Sequence, residues 1–394
     1  MTDGTGRPTP GPDGRGPERR ADAGGGTPTP RGLGSPAGGR VPGAVRSPEA
    51  PAAGGRQLEL AASPHLKAPD TTPRIMWTVV ATLVPVVATA VWTFGPSAFV
   101  VILAATAGAV VTERVWGRRG ALGDGSAALT GLLLGLTLPA SLPLWMAFLG
   151  GVVGIGFGKL IFGGLGQNVF NPALLGRAFL QAAFPAAMTT WSLPTGADLP
   201  GGGTVAWASL RGDTFALPLL GSTVDAVTGA TPLGLAKFED IITPATDLFM
   251  GSIGGSAGET SALLILLGGV VLAAKNYLNW RIPVSILVVV ATLSSAVHAI
   301  SPTVSPGAPF MLFAGGLMLG AVYMATDMVT SPVTNAGAWI YGAGIGTLVV
   351  LIRVWGGLPE GVMYAILFMN ALVPFINRAT QPRVFGTGRA VEAS

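Results

Sequence analysis

The chain has 394 residues, of which 49% are hydrophobic and only 11% are charged. Ordinary soluble domains carry about 25% charged residues, and a soluble protein this poor in charge would expose apolar patches that cause aggregation. The 59 glycines fit bilayer helices, in which glycine is frequent, so the composition excludes an ordinary soluble domain and predicts an integral membrane protein.

Charge and cysteine content narrow the choice of partners and cofactors. The net charge is +4, but the basic residues lie in the tails and short loops, which favours anionic lipid over nucleic acid as the partner. There are no cysteines, which excludes disulfides and thiolate-bound iron–sulfur clusters. The two histidines are far apart in sequence, so we expect no metal site. Redox chemistry in this chain would need an organic cofactor.

Residues 1–60 are rich in Gly, Pro, Ala, Thr and Arg and have no apolar periodicity. Such a segment cannot bury enough apolar surface to offset its chain entropy, so we predict a disordered cytoplasmic tail. No apolar stretch of the signal-peptide type follows its charges. We assign residues 61–385 to a transmembrane domain and residues 386–394 to a C-terminal tail.

The transmembrane domain is predicted to be all-α, with about ten crossings. The apolar segments are 75–94, 97–116, 125–138, 143–163, 171–188, 260–274, 282–300, 309–325, 337–354 and 360–376. Several are shorter than the roughly 20 residues of a full span. The short, Gly- and Pro-interrupted segments 125–138 and 171–188 indicate broken or half-helices, which are tolerated where protein or a cavity surrounds them.

Loop charges predict the orientation of these segments. With a cytoplasmic N-terminus, most basic loop residues fall on the cytoplasmic side, as the positive-inside rule requires. The long connection 189–259 then lies outside the cytoplasm, where its two basic residues, Arg211 and Lys237, are outnumbered by seven acidic ones. Arg353 is the one basic residue outside the cytoplasm that the rule does not explain. An even number of crossings places both termini in the cytoplasm.

A weak internal repeat is also visible. Phe148-Leu149-Gly150-Gly151 leads to the polar run 166–172, and Phe313-Ala314-Gly315-Gly316 leads to the polar run 326–332. Repeated halves that meet at a ligand site are common in transporter-like folds.

The polar stretch 222–234 contains Asp225, Thr228, Gly229, Ala230 and Thr231. Small neighbours leave the Thr231 hydroxyl accessible to a modifying enzyme, and Pro232 restricts Thr231 to an extended conformation. The alternative is an ordinary turn in which Asp225 caps and Gly229 has a positive φ. Local chemistry alone leaves both interpretations open.

Other polar residues lie at the ends of apolar segments. Asn171-Pro172 predicts a helix start whose free N–H groups could attract an anion. Arg177 follows inside the apolar segment, where a charge is functional or structurally paired. Asp327 could bind a cation or a flavin, and Glu259 could cap a helix or contact a flavin. Asp124, by contrast, is expected to cap the segment that follows it.

A set of short motifs follows in a fixed order along the chain and carries a resemblance to a known family. These motifs are Ser63-Pro64-His65, Asp124-Gly125-Ser126-Ala127, Thr130-Gly131-Leu132-Leu133, Asn171-Pro172-Ala173, Gly176-Arg177-Ala178-Phe179, Gly258-Glu259-Thr260-Ser261, Ala325-Thr326-Asp327 and Pro359-Glu360-Gly361. In addition, Asp-x-x-Thr-Gly-Ala-Thr at 225–231 looks like the acceptor motif of bacterial flavin transferases. Over residues 60–385 the chain resembles the D subunits of Rnf electron-transport complexes (the RnfD/NqrB family). It resembles more distantly the B subunits of sodium-pumping NADH:quinone reductases.

The resemblance implies a membrane subunit, inactive alone, of a complex that couples ferredoxin/NAD electron transfer to Na⁺ or H⁺ translocation. It implies FMN joined to Thr231 by a phosphodiester, with Asp225, Thr228, Gly229 and Ala230 recognised by the transferase. We expect Arg177, Asn171, Glu259 and Asp327 to contact cofactor, including a second, noncovalent flavin such as riboflavin. We assign no catalytic residue.

The implied location is the bacterial inner membrane, beside sister Rnf subunits that carry FMN, iron–sulfur clusters and the NADH site. Two alternatives remain. One is the B subunit of a sodium-pumping NADH:quinone reductase. The other is a cofactor-free inverted-repeat transporter or channel, which gives no reason for the motif at 225–231.

Overall fold

The computed structural model describes residues 70–117, 121–199, 202–209, 211–212, 214–218, 228–251, 253–302 and 305–382. The chain divides into two units, residues 1–66 and 67–394, and every described residue belongs to the second. The predictions for the tails 1–60 and 386–394 and for Asp225 lie outside the described residues.

The described residues are mainly helical. Their α-helices are α1 (Thr72–Phe94), α2 (Pro96–Trp116), α3 (Ser126–Leu136), α4 (Leu144–Ile155), α5 (Pro172–Ala183), α6 (Pro185–Thr189), α7 (Pro232–Phe238), α8 (Ala245–Met250), α9 (Ala262–Ala274), α10 (Arg281–Ile300), α11 (Ala308–Phe313), α12 (Leu317–Leu319), α13 (Asn335–Trp355) and α14 (Val362–Thr380). A two-residue ribbon pairs β1 (Trp191–Ser192) with β2 (Thr228–Gly229) in antiparallel register. The predicted helical architecture is confirmed.

Five helices (α1, α2, α10, α13 and α14) are long and apolar enough to cross a bilayer. The apolar helices α3, α4 with its continuation, and α9 are shorter. Each of the ten predicted segments contains helix, but the count of about ten crossings stays a prediction, because only five helices reach the length of a full span. The protein is a multi-pass membrane protein.

The broken helices follow from local sequence. The predicted segment 309–325 is interrupted after α11, where Gly315 has a φ of 67°, and it resumes as α12 and a π-helical segment, Gly320–Met324. The predicted segment 171–188 is divided at Pro185, which begins α6. Helix α4 also continues into a π-helical segment, Gly156–Leu160. Both halves of the predicted repeat therefore pass through a π-helical segment before their polar runs.

The two ends of the helices differ in what covers them. At one end, here called the loop end, the connection after α6 packs on the end of α1: Thr195 N donates to Thr93 O at 2.7 Å, and Trp207 Nε1 donates to Val91 O at 3.0 Å. At the other, the terminal end, Tyr277 donates its hydroxyl to Asp70 at 2.7 Å.

Glycines allow the closest helix contacts. A Cβ at Gly151 in α4 would overlap the carbonyl oxygen of Ala105 in α2, and one at Gly108 in α2 would overlap that of Phe148. Small residues let backbones approach in membrane bundles, where close packing replaces the hydrophobic effect between helices. This contact holds α2 closely against α4.

Candidate functional site

Arg177 lies near the middle of α5 and is buried. Its guanidinium donates to Thr137 O at 2.6 Å and to Glu360 Oε2 at 2.9 Å. Thr137 follows the last residue of α3, so its carbonyl is one of the unpaired groups at a helix C-terminus. Arg177 is thus paired within the bundle, and it joins three separate parts of the chain.

Arg353 makes an equivalent contact in the second half of the chain. It lies near the end of α13, is buried, and donates to Met311 O at 2.6 Å and to Ala314 O at 2.8 Å. These carbonyls end the short helix α11, where cations are favourable. Arg353, which the positive-inside rule left unexplained, therefore caps a broken helix, as Arg177 does in the first half of the chain.

Glu259 lies in the connection before α9, outside the long helices, and is 5% exposed. Within the described residues, neither carboxylate oxygen has a hydrogen-bond partner. Ser261, not Glu259, caps α9, since its hydroxyl accepts from Leu264 N. Burial, and then the neighbouring charge of Glu360, raise the pKa of Glu259 to about 8.

A pocket of about 770 Å³ opens beside these residues and is called the loop-end pocket. Its wall includes Thr137, Arg177, Trp191, Ser256, Gly316 and Glu360. The wall combines apolar side chains with a few polar groups, as the walls of small-molecule sites do. The pocket therefore brings Arg177 together with Glu360, a residue that the sequence motifs contained but whose role they did not indicate.

Thr231 is connected to this pocket through its neighbours in the chain. Its φ of −69° and ψ of 154° confirm the extended conformation expected before Pro232. Its Oγ1 accepts from Gly234 N at 3.1 Å and so caps α7, and the residue is 3% exposed. On one side Gly229 pairs with Trp191, a wall residue of the loop-end pocket.

The other side of Thr231 is held by α7. A Cβ at Gly315, next to the wall residue Gly316, would lie 2.6 Å from the Leu233 side chain. Lys237 donates to three carbonyls around the end of α13, including Arg353 O at 2.9 Å. Gly229 lies in the strand β2 instead of supplying a positive φ. Thr228 shares that strand, and Ala230 is exposed.

Asn171 and Asp327 meet at the terminal end, where both line a pocket of about 780 Å³, called the terminal-end pocket. Asn171 caps α5 by accepting from Ala173 N and Leu174 N, and its amide donates to Met324 O at 3.1 Å. The helix-start N–H groups expected to attract an anion are thus occupied by Asn171. Asp327 accepts from Val329 N at 3.1 Å and from the Thr330 hydroxyl at 3.3 Å.

A second buried ionic cluster was missed from the sequence. Lys159, in the first π-helical segment, donates to Glu113 and to Ser126 Oγ, and both ionic side chains are almost fully buried. Asp124 lies 3.9 Å from Lys159 and accepts from Ser126 N at 2.8 Å. The N-cap of α3 is Gly125, so the prediction that Asp124 caps this helix is wrong. Lys159 and Glu113 are 46 residues apart in two apolar segments, and the sequence does not indicate that these two charges meet.

The predicted site residues thus fall into two groups. Thr231, Arg177 and Glu259 belong to the loop end, and Asn171 and Asp327 belong to the terminal end. The segments that carry them match a known family: the chain matches the NQR2, RnfD, RnfE family over residues 59–386. The chain belongs to this family.

Curated relatives of this family align with the present chain over nearly their whole length. The D subunit of the ion-translocating oxidoreductase complex of Stutzerimonas stutzeri is 44% identical over 79% of this chain and 92% of the relative. The D subunit of the proton-translocating ferredoxin:NAD⁺ oxidoreductase complex of Clostridium ljungdahlii is 41% identical over 84% and 96%. The D subunit of the Na⁺-translocating ferredoxin:NAD⁺ oxidoreductase complex of Acetobacterium woodii is 39% identical over 84% and 95%.

Proposed function

We propose that this chain is the D subunit of an ion-translocating ferredoxin:NAD oxidoreductase complex, and that it carries electrons through FMN bound covalently to Thr231. The observation that carries the proposal is the acceptor motif 225–231, in which Gly229 pairs with Trp191, a wall residue of the loop-end pocket. A cofactor-free transporter would need neither feature. Between Rnf-type and quinone-reductase complexes, the names of the relatives favour the former.

The geometry at Thr231 is compatible with a phosphodiester. Its Oγ1 accepts a hydrogen bond from Gly234 N, and its own proton is donated to no acceptor within the described residues, so esterification removes no hydrogen bond to any of them. Because the residue is buried, α7 must move away from the bundle while a flavin transferase acts. Bound FMN would supply the redox chemistry, and the protein would supply position and surroundings.

The loop-end pocket is the space in which the tethered ring would be held. Arg177 already uses its guanidinium on Glu360 and Thr137, so it would shape the pocket wall, and Trp191 would offer an aromatic surface. Glu259 lies behind this wall and would act on the flavin through its carboxyl group. At the opposite end, Asn171 and Asp327 would face a second, noncovalent flavin in the terminal-end pocket.

Loss of covalent flavin in Thr231→Ala is the test of the attachment. After co-expression with a flavin transferase and a flavin supply, we expect a fluorescent flavin band on denaturing electrophoresis, and none in Thr231→Ala. Thr243→Ala is the matched control, since Thr243 also precedes a proline in the same connection. A wild-type chain without a band, or a Thr231→Ala chain that keeps it, contradicts the proposal.

The proposed complex is embedded in the bacterial inner membrane, in contact with lipid and sister subunits, with both termini in the cytoplasm. A reporter that is active only outside the cytoplasm is therefore expected to be active when inserted at Gly202. Gly202 is exposed and a side chain there would meet no atom within 4 Å, so the insertion should not disturb the fold. The same reporter fused after Ser394 is expected to be inactive. The opposite pattern of activity contradicts this orientation.

A further inference from the structure

The loop-end cluster contains two carboxylates and two guanidiniums: Glu259, Glu360, Arg177 and Arg353. The Arg177 guanidinium bonds Glu360, while Arg353 bonds backbone carbonyls and no carboxylate among the described residues. Glu259 is left as a carboxylate more than nine-tenths buried, with neither oxygen in a well-formed hydrogen bond among the described residues and with Ser256 as a nearby donor. An ionised carboxylate in such a place is costly unless it binds a proton or a cation.

The position of the Glu259 carboxylate is defined by two glycines. A Cβ at Gly255 would lie 2.7 Å from Oε2, and a Cβ at Gly316 would lie 3.4 Å from Oε1. Gly316 and Ser256 belong to the wall of the loop-end pocket, and so does Glu360, whose side chain is 18% exposed. Glu360 Oε1 is also buried and unpaired among the described residues. One carboxylate thus contacts the pocket, and the other lies directly behind its wall.

We propose that Glu259 is a proton-binding residue that exchanges its proton with the loop-end pocket through Glu360. In the binding step, a hydronium ion in the pocket gives up a proton and becomes water. The proton bonds to a carboxylate oxygen of Glu259, so the cluster gains one positive charge. The proposal does not depend on a flavin at Thr231. It identifies a titrating group at the loop end, opposite to the terminal end, where Lys159 and Asp327 lie.

A proton suits this cluster better than a metal cation. Three nearby carbonyl oxygens, those of Thr137, Met311 and Ala314, already accept from guanidinium groups. Among the buried side chains of the described residues, the oxygens left unpaired in this cluster are two on Glu259 and one on Glu360, fewer than the six or so that Mg²⁺ or Ca²⁺ takes. The described part of the chain contains no group of three or more Asp, Glu, His or Cys that could hold a metal.

Infrared difference spectroscopy on the purified full-length chain tests this proposal. We expect the C=O band of a protonated carboxyl group to be present near neutral pH and lost as the pH rises through about 8, because Glu259 is protonated below its pKa. The band should be absent from Glu259→Gln and retained in Asp247→Asn, which removes an exposed acid of the same connection. In Glu360→Gln the midpoint should fall, since a neighbouring negative charge is removed.

Two results would overturn the proposal. One is a band whose midpoint is the same in Glu360→Gln as in the wild type; this comparison holds even if Glu259→Gln does not fold. The other is loss of the band at constant pH on addition of NaCl but not of KCl, which identifies a sodium site in place of a proton site. Equal spectra of wild type and Glu259→Gln across the pH range contradict it in the same way.

Discussion

Lys159→Met is expected to lower the free energy of unfolding by about 3–5 kcal/mol, the usual effect of breaking a buried ion pair. Lys159 is 3% exposed and Glu113 is 1% exposed. Methionine fills similar volume but leaves the buried Glu113 carboxyl group without its partner, and it also removes the donor to Ser126. Denaturant unfolding in detergent micelles measures the change.

A double variant separates the loss of the pair from a loss of packing. In Lys159→Met/Glu113→Gln no buried charge is left unpaired, so most of the lost stability should return. Lys275→Met is the matched control, because Lys275 is exposed at the end of α9 and should contribute almost nothing. If the double variant is no more stable than Lys159→Met, the ion pair is not the cause.

Arg177→Met is expected to lower the free energy of unfolding by about 2–3 kcal/mol. The substitution leaves the Thr137 carbonyl at the end of α3 and the Glu360 carboxylate without their donor. The loss should be smaller than at Lys159, because Glu360 keeps 18% of its side chain exposed and retains some contact with solvent. The measurement is again denaturant unfolding in micelles.

Further substitutions, at Arg177 and at its partner Glu360, test whether the Arg177 hydrogen bonds stabilise the fold. Arg177→Lys should recover only part of the stability, since an ammonium cannot reproduce the two directed bonds of the guanidinium. Arg177→Met/Glu360→Gln should recover more, because the unpaired charge is removed. Arg114→Met, at an exposed arginine near the end of α2, is the control and should have little effect. Equal losses at positions 114 and 177 would show that the Arg177 bonds do not stabilise the fold.

The sequence predicted the helices better than it predicted their breaks. Apolar runs with a proline at the start, as at Pro96 and Pro172, placed helix starts within a residue or two. The π-helical segments were not predicted, because the apolar pattern continues through them. The interruption after Phe313 depends on the backbone of Gly315, and a glycine alone does not specify a positive φ.

The candidate site was predicted at Thr231, by its motif, and only in part elsewhere. Arg177 was recognised as a charge that needs a partner, but Glu360 is 183 residues away, and sequence spacing does not show which segments meet at such a distance. For the same reason the roles of Lys159, Glu113 and Arg353 were missed. Buried pairs between helices are set by tertiary packing, which a single sequence does not reveal.

The π-helical segments have a consequence for where side chains point. An α-helix turns about 100° per residue, and a π-bulge accommodates one extra residue in a turn. One residue fewer in Gly156–Leu160 would return this turn to a regular α-helix and leave the helix beyond it in nearly the same orientation. The extra residue therefore changes which side chains face inward only within the bulged turn, and Lys159 contacts Glu113 from this turn. Gly320–Met324 is a second such turn in the second half of the chain.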